Sequence, residues 1–271
     1  MTSELSDSAR DHRPIRWPVE IAIIVGYYLV YTFVRNRFGS ASVGQEHAFH
    51  NALRIIDLER ALHIFDEATV QSWFLGHHWL VRLLNIFYGS LHFVVTAGVL
   101  IWLGIRHAAD YRRGRDAILI TTTIALIGFA LFPLMPPRLL CDCPYGAGPL
   151  LDGRGLPVFV DTLVRDGGLW SFSTSTVQSL SNQYAAMPSL HVAWAVWCAL
   201  VLVPRVRHRW SRALAVAYPL MTALAVVVTG NHWWLDAVAG LLLALAGWWM
   251  GARTAALILR RRDLGDSVIA P

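Results

Sequence analysis

Long apolar runs, separated by short arginine-bearing segments, set the pattern of this chain. Six of them are long enough to cross a bilayer as helices: 17–35, 79–105, 116–135, 188–204, 213–229 and 233–259. Two connections break the rhythm. HNALRIIDLERALHIF (50–65) carries apolar residues at helical spacing, which predicts an amphipathic helix lying flat on the membrane surface, with Glu59 and Arg60 on its polar edge. His77 and His78 read as solvated residues at a helix start. The connection 136–187 is rich in Pro, Gly and Ser, and its stretch LWSFSTSTVQSLSNQ (169–183) mixes apolar and hydroxyl residues as an interfacial lid would. The pattern predicts an all-α integral membrane protein. A polar tail, 1–16, precedes one six-span bundle, 17–259, whose loops 36–78 and 136–187 face outward; a tail, 260–271, follows. No small-residue cleavage site follows the first run, so it reads as an anchor rather than a removed signal peptide.

Composition narrows the class. The chain is 55% hydrophobic and only 15% charged, with 12 tryptophans and a mean hydropathy of +0.46, which excludes an ordinary soluble domain. Every basic residue is arginine. Arg10, Arg13 and Arg16, then Arg106, Arg112, Arg113 and Arg115, then Arg205, Arg207, Arg209 and Arg212, then Arg253, Arg260, Arg261 and Arg262 all fall on one side of the six-span layout. The positive-inside rule makes that side cytoplasmic, with both termini there and both long loops outside. The net charge of +5 needs no nucleic acid, since basic loops beside anionic headgroups account for it. Cys141 and Cys143 stand one residue apart, a spacing expected to strain a bridge, and no further ligands beside them suggest a metal. Cys198 reads as a small packing residue.

Three polar features converge on the outer face. Arg138 follows the third span in FPLMPPRLL, MPSLH (187–191) opens the fourth, and TGNHWWLDAVAG (229–240) opens the sixth. Pro188 suits the first turn of a helix and Ser189 its cap. His232 and Asp236 lie four residues apart, which on a helix places them on one face of successive turns. An arginine, two histidines, an aspartate and a helix N-terminus suit phosphoryl transfer. The guanidinium clamps phosphate oxygens, and the amides of the fourth span with the Ser189 hydroxyl add an anion-binding terminus. One imidazole attacks phosphorus while a carboxylate fixes its tautomer, and the second moves the proton. No cluster of carboxylates surrounds these groups, so the chemistry requires no metal and no other cofactor.

MPSLH followed by GNHWWLD resembles the type 2 phosphatidic acid phosphatase superfamily, which shares its site with vanadium haloperoxidases. PPR, MPSLH and H-x-x-x-D on six spans resemble, more narrowly, the inositol phosphorylceramide synthase-like branch. The resemblance implies that His232 is the nucleophile forming a phosphohistidine, that Asp236 orients it, that His191 is the general acid/base, and that Arg138 and Ser189 bind phosphate. It also implies a multi-pass protein of the cell membrane, an extracytoplasmic site and a lipid-linked phosphate ester as substrate. Two cations of the broad pattern are missing: Leu131 and Val226 stand in their places. That loss favours a singly charged phosphodiester over a dianionic monoester, and hence transfer of a substituted phosphoryl group.

Each feature alone has a plainer reading. A His–Asp pair at this spacing can simply stabilise a helix, Ser and Pro are ordinary at helix starts, and an interfacial arginine can pair with headgroups. The combination carries the catalytic reading. In the second span, Asn85, Tyr88 and His92 share a helical stripe and are candidates for the substrate pocket, or else structural hydrogen-bonding groups between helices. Simple hydrolysis of a lipid or polyprenyl phosphate remains an alternative, as does a lipid-binding or transport protein without catalysis. Against transport, the chain shows no internal symmetry of halves.

Overall fold

The computed structural model describes residues 15–38, 44–143, 146–169 and 183–269. Among the described residues nine α-helices run in order: α1 (Trp17–Phe38), α2 (Gln45–Ala61), α3 (Glu67–Phe74), α4 (His78–Arg106), α5 (Ala108–Leu131), α6 (Thr162–Arg165), α7 (Leu190–Leu202), α8 (Arg209–Val228) and α9 (Trp234–Ile269). Among the described residues there is no strand, only one isolated parallel bridge between Leu134 and Ala185. Most of the proposed lid, 169–183, lies outside the described residues.

Among the described residues, four helices are long and apolar enough to cross a membrane: α4, α5, α8 and the Trp234–Thr254 part of α9. The apolar stretches Trp17–Val30 and Leu190–Leu202 fall short of that length. α7 is short for local reasons. Ser189 caps its start by accepting the Val192 amide at 3.4 Å, and the helix ends at Leu202, just before Pro204, which has no N–H to continue the i→i−4 ladder. Pro188 therefore sits before the cap rather than inside the first turn. At 13 residues α7 rises only about 20 Å, yet it is the most enclosed helix, packed against α4, α5, α8 and α9. Its Trp197, Cys198 and Val201 are buried with Val99, Leu103, Ala117 and Ile118 of α4 and α5.

α4 and α5 meet with only His107 between them, so of the arginines expected in a loop there Arg106 ends α4, while Arg112, Arg113 and Arg115 lie on the first turns of α5. They tie the bundle together at that end. Arg115 pairs with Glu20 of α1 at 2.5 Å and with Asp116 at 2.8 Å, and Arg205 pairs with Asp110 at 2.8 Å.

At the other end, α2 does form from the amphipathic segment, but its apolar face is not spread on a surface. Ala48, Phe49, Ala52, Ile55 and Ile56 are buried against Leu134, Met135, Leu139, Leu140 and Trp233. Glu59, expected on the polar edge, is completely buried, because α2 lies across the start of α9 and directs that carboxylate at its backbone. Arg60 stays exposed, over the Phe65 ring. His77 and His78 are exposed at the start of α4, where His78 meets Asp166 at 2.6 Å. Cys141 and Cys143 are joined by a disulfide, with their Cα atoms 5.3 Å apart.

Candidate active site

The site forms where the starts of α7 and α9 meet the 133–140 segment. Two glycines permit the approach. Gly240 lies against the Ser189 carbonyl so closely that a Cβ would sit 2.3 Å from it. Gly230 adopts φ +67° in the turn between α8 and α9, and its carbonyl accepts the Arg138 amide at 2.8 Å. The Ser189 amide donates to the Asp236 carbonyl at 3.0 Å, which stitches the two helix starts together.

The rings of His191 and His232 lie with centroids 5.7 Å apart. His232 precedes α9 rather than standing on it. It nevertheless reaches Asp236, because that carboxylate folds back over the helix start: Oδ2 accepts the Trp233 amide at 3.0 Å and faces His232 Nδ1 at 3.4 Å. The helical spacing thus found the pair for a different geometric reason. Both groups are buried, and Asp236 Oδ1 has no hydrogen-bond partner among the described residues. Trp233 anchors the turn through its indole, which donates to the Met135 carbonyl at 3.0 Å.

Arg138 lies beside this pair, held on three sides. Nε donates to Asn231 Oδ1 at 3.0 Å, Nη1 to Asp161 Oδ2 at 2.8 Å, and Nη2 to Gln183 Oε1. A guanidinium has five N–H groups, so Nη1 and Nη2 each keep one beyond these bonds. Asp161, which sequence reading missed, also caps α6 by accepting the Leu163 and Val164 amides. The positions of the two missing cations are apolar in effect as well as in kind. Leu131 is exposed at the end of α5, and Val226 is buried with Val192, Ala193, Val196, Ala237 and Ala244.

Of the three residues on the α4 stripe, two reach the site. Tyr88 stacks on His191 at 4.3 Å, and its backbone accepts a hydrogen bond from the His191 ring. His92 lies 5.1 Å from His191, with Nδ1 on the Tyr218 hydroxyl at 3.0 Å. Its Nε2 has no partner among the described residues. Asn85 goes elsewhere. Its amide donates to the carbonyls of Thr162 and Gly167, both at 2.9 Å, while its oxygen accepts from the Thr162 hydroxyl at 3.1 Å. A π-helical turn, Phe87–Leu91, lies between Asn85 and His92 and changes the phase between them. Asn85 therefore clamps the connection that carries Thr162 and Gly167. Asn85→Ala is expected to destabilise the protein by about 2 kcal/mol, since it orphans buried partners. Thermal unfolding in detergent checks this, with Tyr88→Ala as the contrasting variant that lowers turnover instead.

The sequence model of a family described as "PAP2 superfamily" matches residues 53–250. The chain is also 26% identical over 186 residues to the phosphoinositol dihydroceramide synthase of Bacteroides thetaiotaomicron, which covers 66% of this chain and 59% of the relative. The chain thus spans about three fifths of the length of that curated relative. No solved structure matches.

Proposed function

The chain belongs to the PAP2 superfamily of membrane phosphatases and phosphotransferases, and from that premise we propose that it transfers a substituted phosphoryl group from a lipid-linked phosphodiester to an alcohol. The observation that carries the reading is the meeting of His191 and His232, from separate helix starts, beside Asp236 and Arg138. His232 attacks phosphorus through the ring nitrogen remote from Asp236, forming the P–N bond of a phosphohistidine. The bond to the lipid alkoxide breaks as His191 protonates that oxygen. In the second step His191 takes the proton of the acceptor hydroxyl, whose oxygen displaces His232 and restores the free enzyme. Asp236 holds the His232 tautomer and stabilises the positive charge on the ring. The Tyr88 backbone plays the same orienting part for His191 by engaging one ring nitrogen, which leaves the other for the proton in flight. Arg138 and the Ser189 hydroxyl take the non-bridging oxygens.

Charge supports a diester. Arg138 is the cation of this arrangement, and Asp161 already pairs with it. With Asp161 neutralising Arg138, protonated His191 is left to balance one negative charge, whereas a dianionic monoester has no second cation. The relative's name, phosphoinositol dihydroceramide synthase, agrees with transfer to a lipid alcohol. We further propose six spans, cytoplasmic termini and a site opening at the extracytoplasmic boundary, on the strength of the arginine distribution.

The test is a lipid panel. Purified protein is incubated with phosphatidylinositol, diacylglycerol pyrophosphate and polyprenyl phosphates, with and without a ceramide acceptor, and free phosphate is measured against transferred headgroup. Headgroup transfer from the diester is expected. Release of free phosphate from the monoesters alone overturns it in favour of a phosphatase. Turnover is also expected to persist in excess EDTA, because Arg138 and protonated His191 supply the charge stabilisation; strict metal dependence refutes the mechanism.

A further inference from the structure

The start of α9 is held by three acids. The amides of Trp233, Trp234 and Leu235 donate in turn to Asp236 Oδ2 at 3.0 Å, Glu67 Oε1 at 3.1 Å and Glu59 Oε1 at 2.9 Å. These amides have no partner within the helix, so each requires an acceptor from outside or from a capping side chain. What is unusual is where the acceptors come from. Glu59 belongs to α2 and Glu67 to α3, and both are fully buried. Neither forms an ion pair among the described residues, and their second oxygens, Glu59 Oε2 and Glu67 Oε2, have no hydrogen-bond partner there. Because the two carboxyls accept from consecutive amides, they lie side by side. Two bare carboxylates so placed, buried and without a cation, repel each other, and a proton on one relieves that repulsion and lets it donate to the other.

We propose that Glu59 and Glu67 share a single proton, carried by Glu59, and that this acid–carboxylate pair is the positioning device for His232. The positioning half of the proposal rests on the role given to His232 above; the proton does not. One negative charge then faces the positive end of the α9 dipole, where it is favourable, and the second is neutralised rather than buried bare. The other charged groups nearest the pair are acids, Asp66 just before α3 and Asp236 on α9, and both work against ionisation of a second carboxyl. Arg60, next to Glu59 on α2, is turned outward over Phe65. Burial and Glu67 push the Glu59 carboxyl up to about 10, and burial raises Glu67 as well. The clamp holds the residues directly after His232, so it fixes where that imidazole stands without touching substrate.

The sign of the pH dependence follows. Above the ordinary carboxyl range the unfolded chain releases the Glu59 proton, while the folded chain keeps it up to about 10. The folded state therefore binds the extra proton across neutral and mildly alkaline pH, and stability falls as pH rises through that window. Glu59→Gln keeps both bonds without the proton: its oxygen accepts the Leu235 amide and its NH₂ donates to Glu67.

The experiment follows thermal unfolding of the full-length protein in detergent from pH 6 to 9, together with kcat and KM on the lipid that the native protein turns over. For the native protein, the folding constant is expected to fall by up to tenfold per pH unit from this group, and Glu59→Gln is expected to remove that slope. Equal slopes in the two proteins overturn the shared proton, whatever the enzyme acts on. Glu59→Ala is expected to lower kcat tenfold or more with KM within twofold, and Glu59→Gln to rescue it. An unchanged kcat in Glu59→Ala, or an alanine loss that glutamine does not rescue, overturns the positioning role. If no lipid is turned over even by the native protein, the functional reading fails while the unfolding slopes still decide the proton.

Discussion

His232→Ala is expected to lower turnover by about 10⁴-fold or more, the scale on which loss of a covalent nucleophile is felt. At 298 K that corresponds to about 5.5 kcal/mol of transition-state stabilisation. Among the described residues, neither neighbouring imidazole is placed to take over the role. His191 is committed to the Tyr88 backbone and stacked against that ring, and His92 lies behind it on the Tyr218 hydroxyl. The variant is expected to fold. The His232 backbone amide still donates to the Val226 carbonyl, and Asp236 still accepts the Trp233 amide. What is lost is one buried contact, at a cost of about 1–3 kcal/mol. The measurement is turnover of labelled lipid by native and variant protein at matched detergent and protein concentration, with unfolding temperatures recorded alongside. Acid quenching must be avoided in trapping the intermediate, because a phosphohistidine is acid-labile and survives alkali. Native protein should retain alkali-stable label when acceptor is withheld, and the variant none. Residual label on the variant moves the nucleophile elsewhere.

Much of this site could be read from residue order alone, and the limits of that reading have physical causes. PPR, MPSLH and HWWLD each mark the start of an element or the segment before one, and local chemistry places them there: proline, a serine cap, a carboxylate folding back on a helix start. Contacts within a few residues carry their own signature. Groups whose partners lie far along the chain do not. Glu59 reads as an exposed polar edge, since nothing near it in sequence reveals Leu235, 176 positions away. Asp161 sits in an unpatterned connection and declares itself only by meeting Arg138. Asn85 failed for a third reason. Helical spacing presumes an unbroken α-helix, and the π-turn at Phe87–Leu91 changes the phase between Asn85 and His92. The apolar helices show the same division. Apolar composition marks them all, but α7 is shortened by its serine cap and Pro204 at either end, and α5 begins earlier than its arginines suggested.

The π-turn also bears on the second large effect, that of His191→Ala. If His191 donates the proton to the departing lipid alkoxide, its loss should slow transfer from a dialkyl-type phosphodiester by about 10²–10⁴-fold. A nitrophenyl phosphodiester of the same headgroup separates this role from simple damage, since a nitrophenolate leaves without needing a proton. With that substrate the first step in His191→Ala should approach the native rate. The second step should not, because the acceptor hydroxyl still lacks its base. The variant is therefore expected to release about one equivalent of nitrophenol per site in a burst and then stall, with labelled phosphohistidine accumulating on His232. Native protein should turn over steadily. Equal losses on both substrates, with no burst, would mean that His191 holds the site together rather than moving a proton. Tyr88 provides the control for that distinction. Its ring stacks on His191 and its backbone engages one ring nitrogen, but the second contact does not depend on the side chain. Tyr88→Ala should therefore slow both substrates alike, as a loss of orientation, whereas removal of His191 should discriminate between them by leaving group.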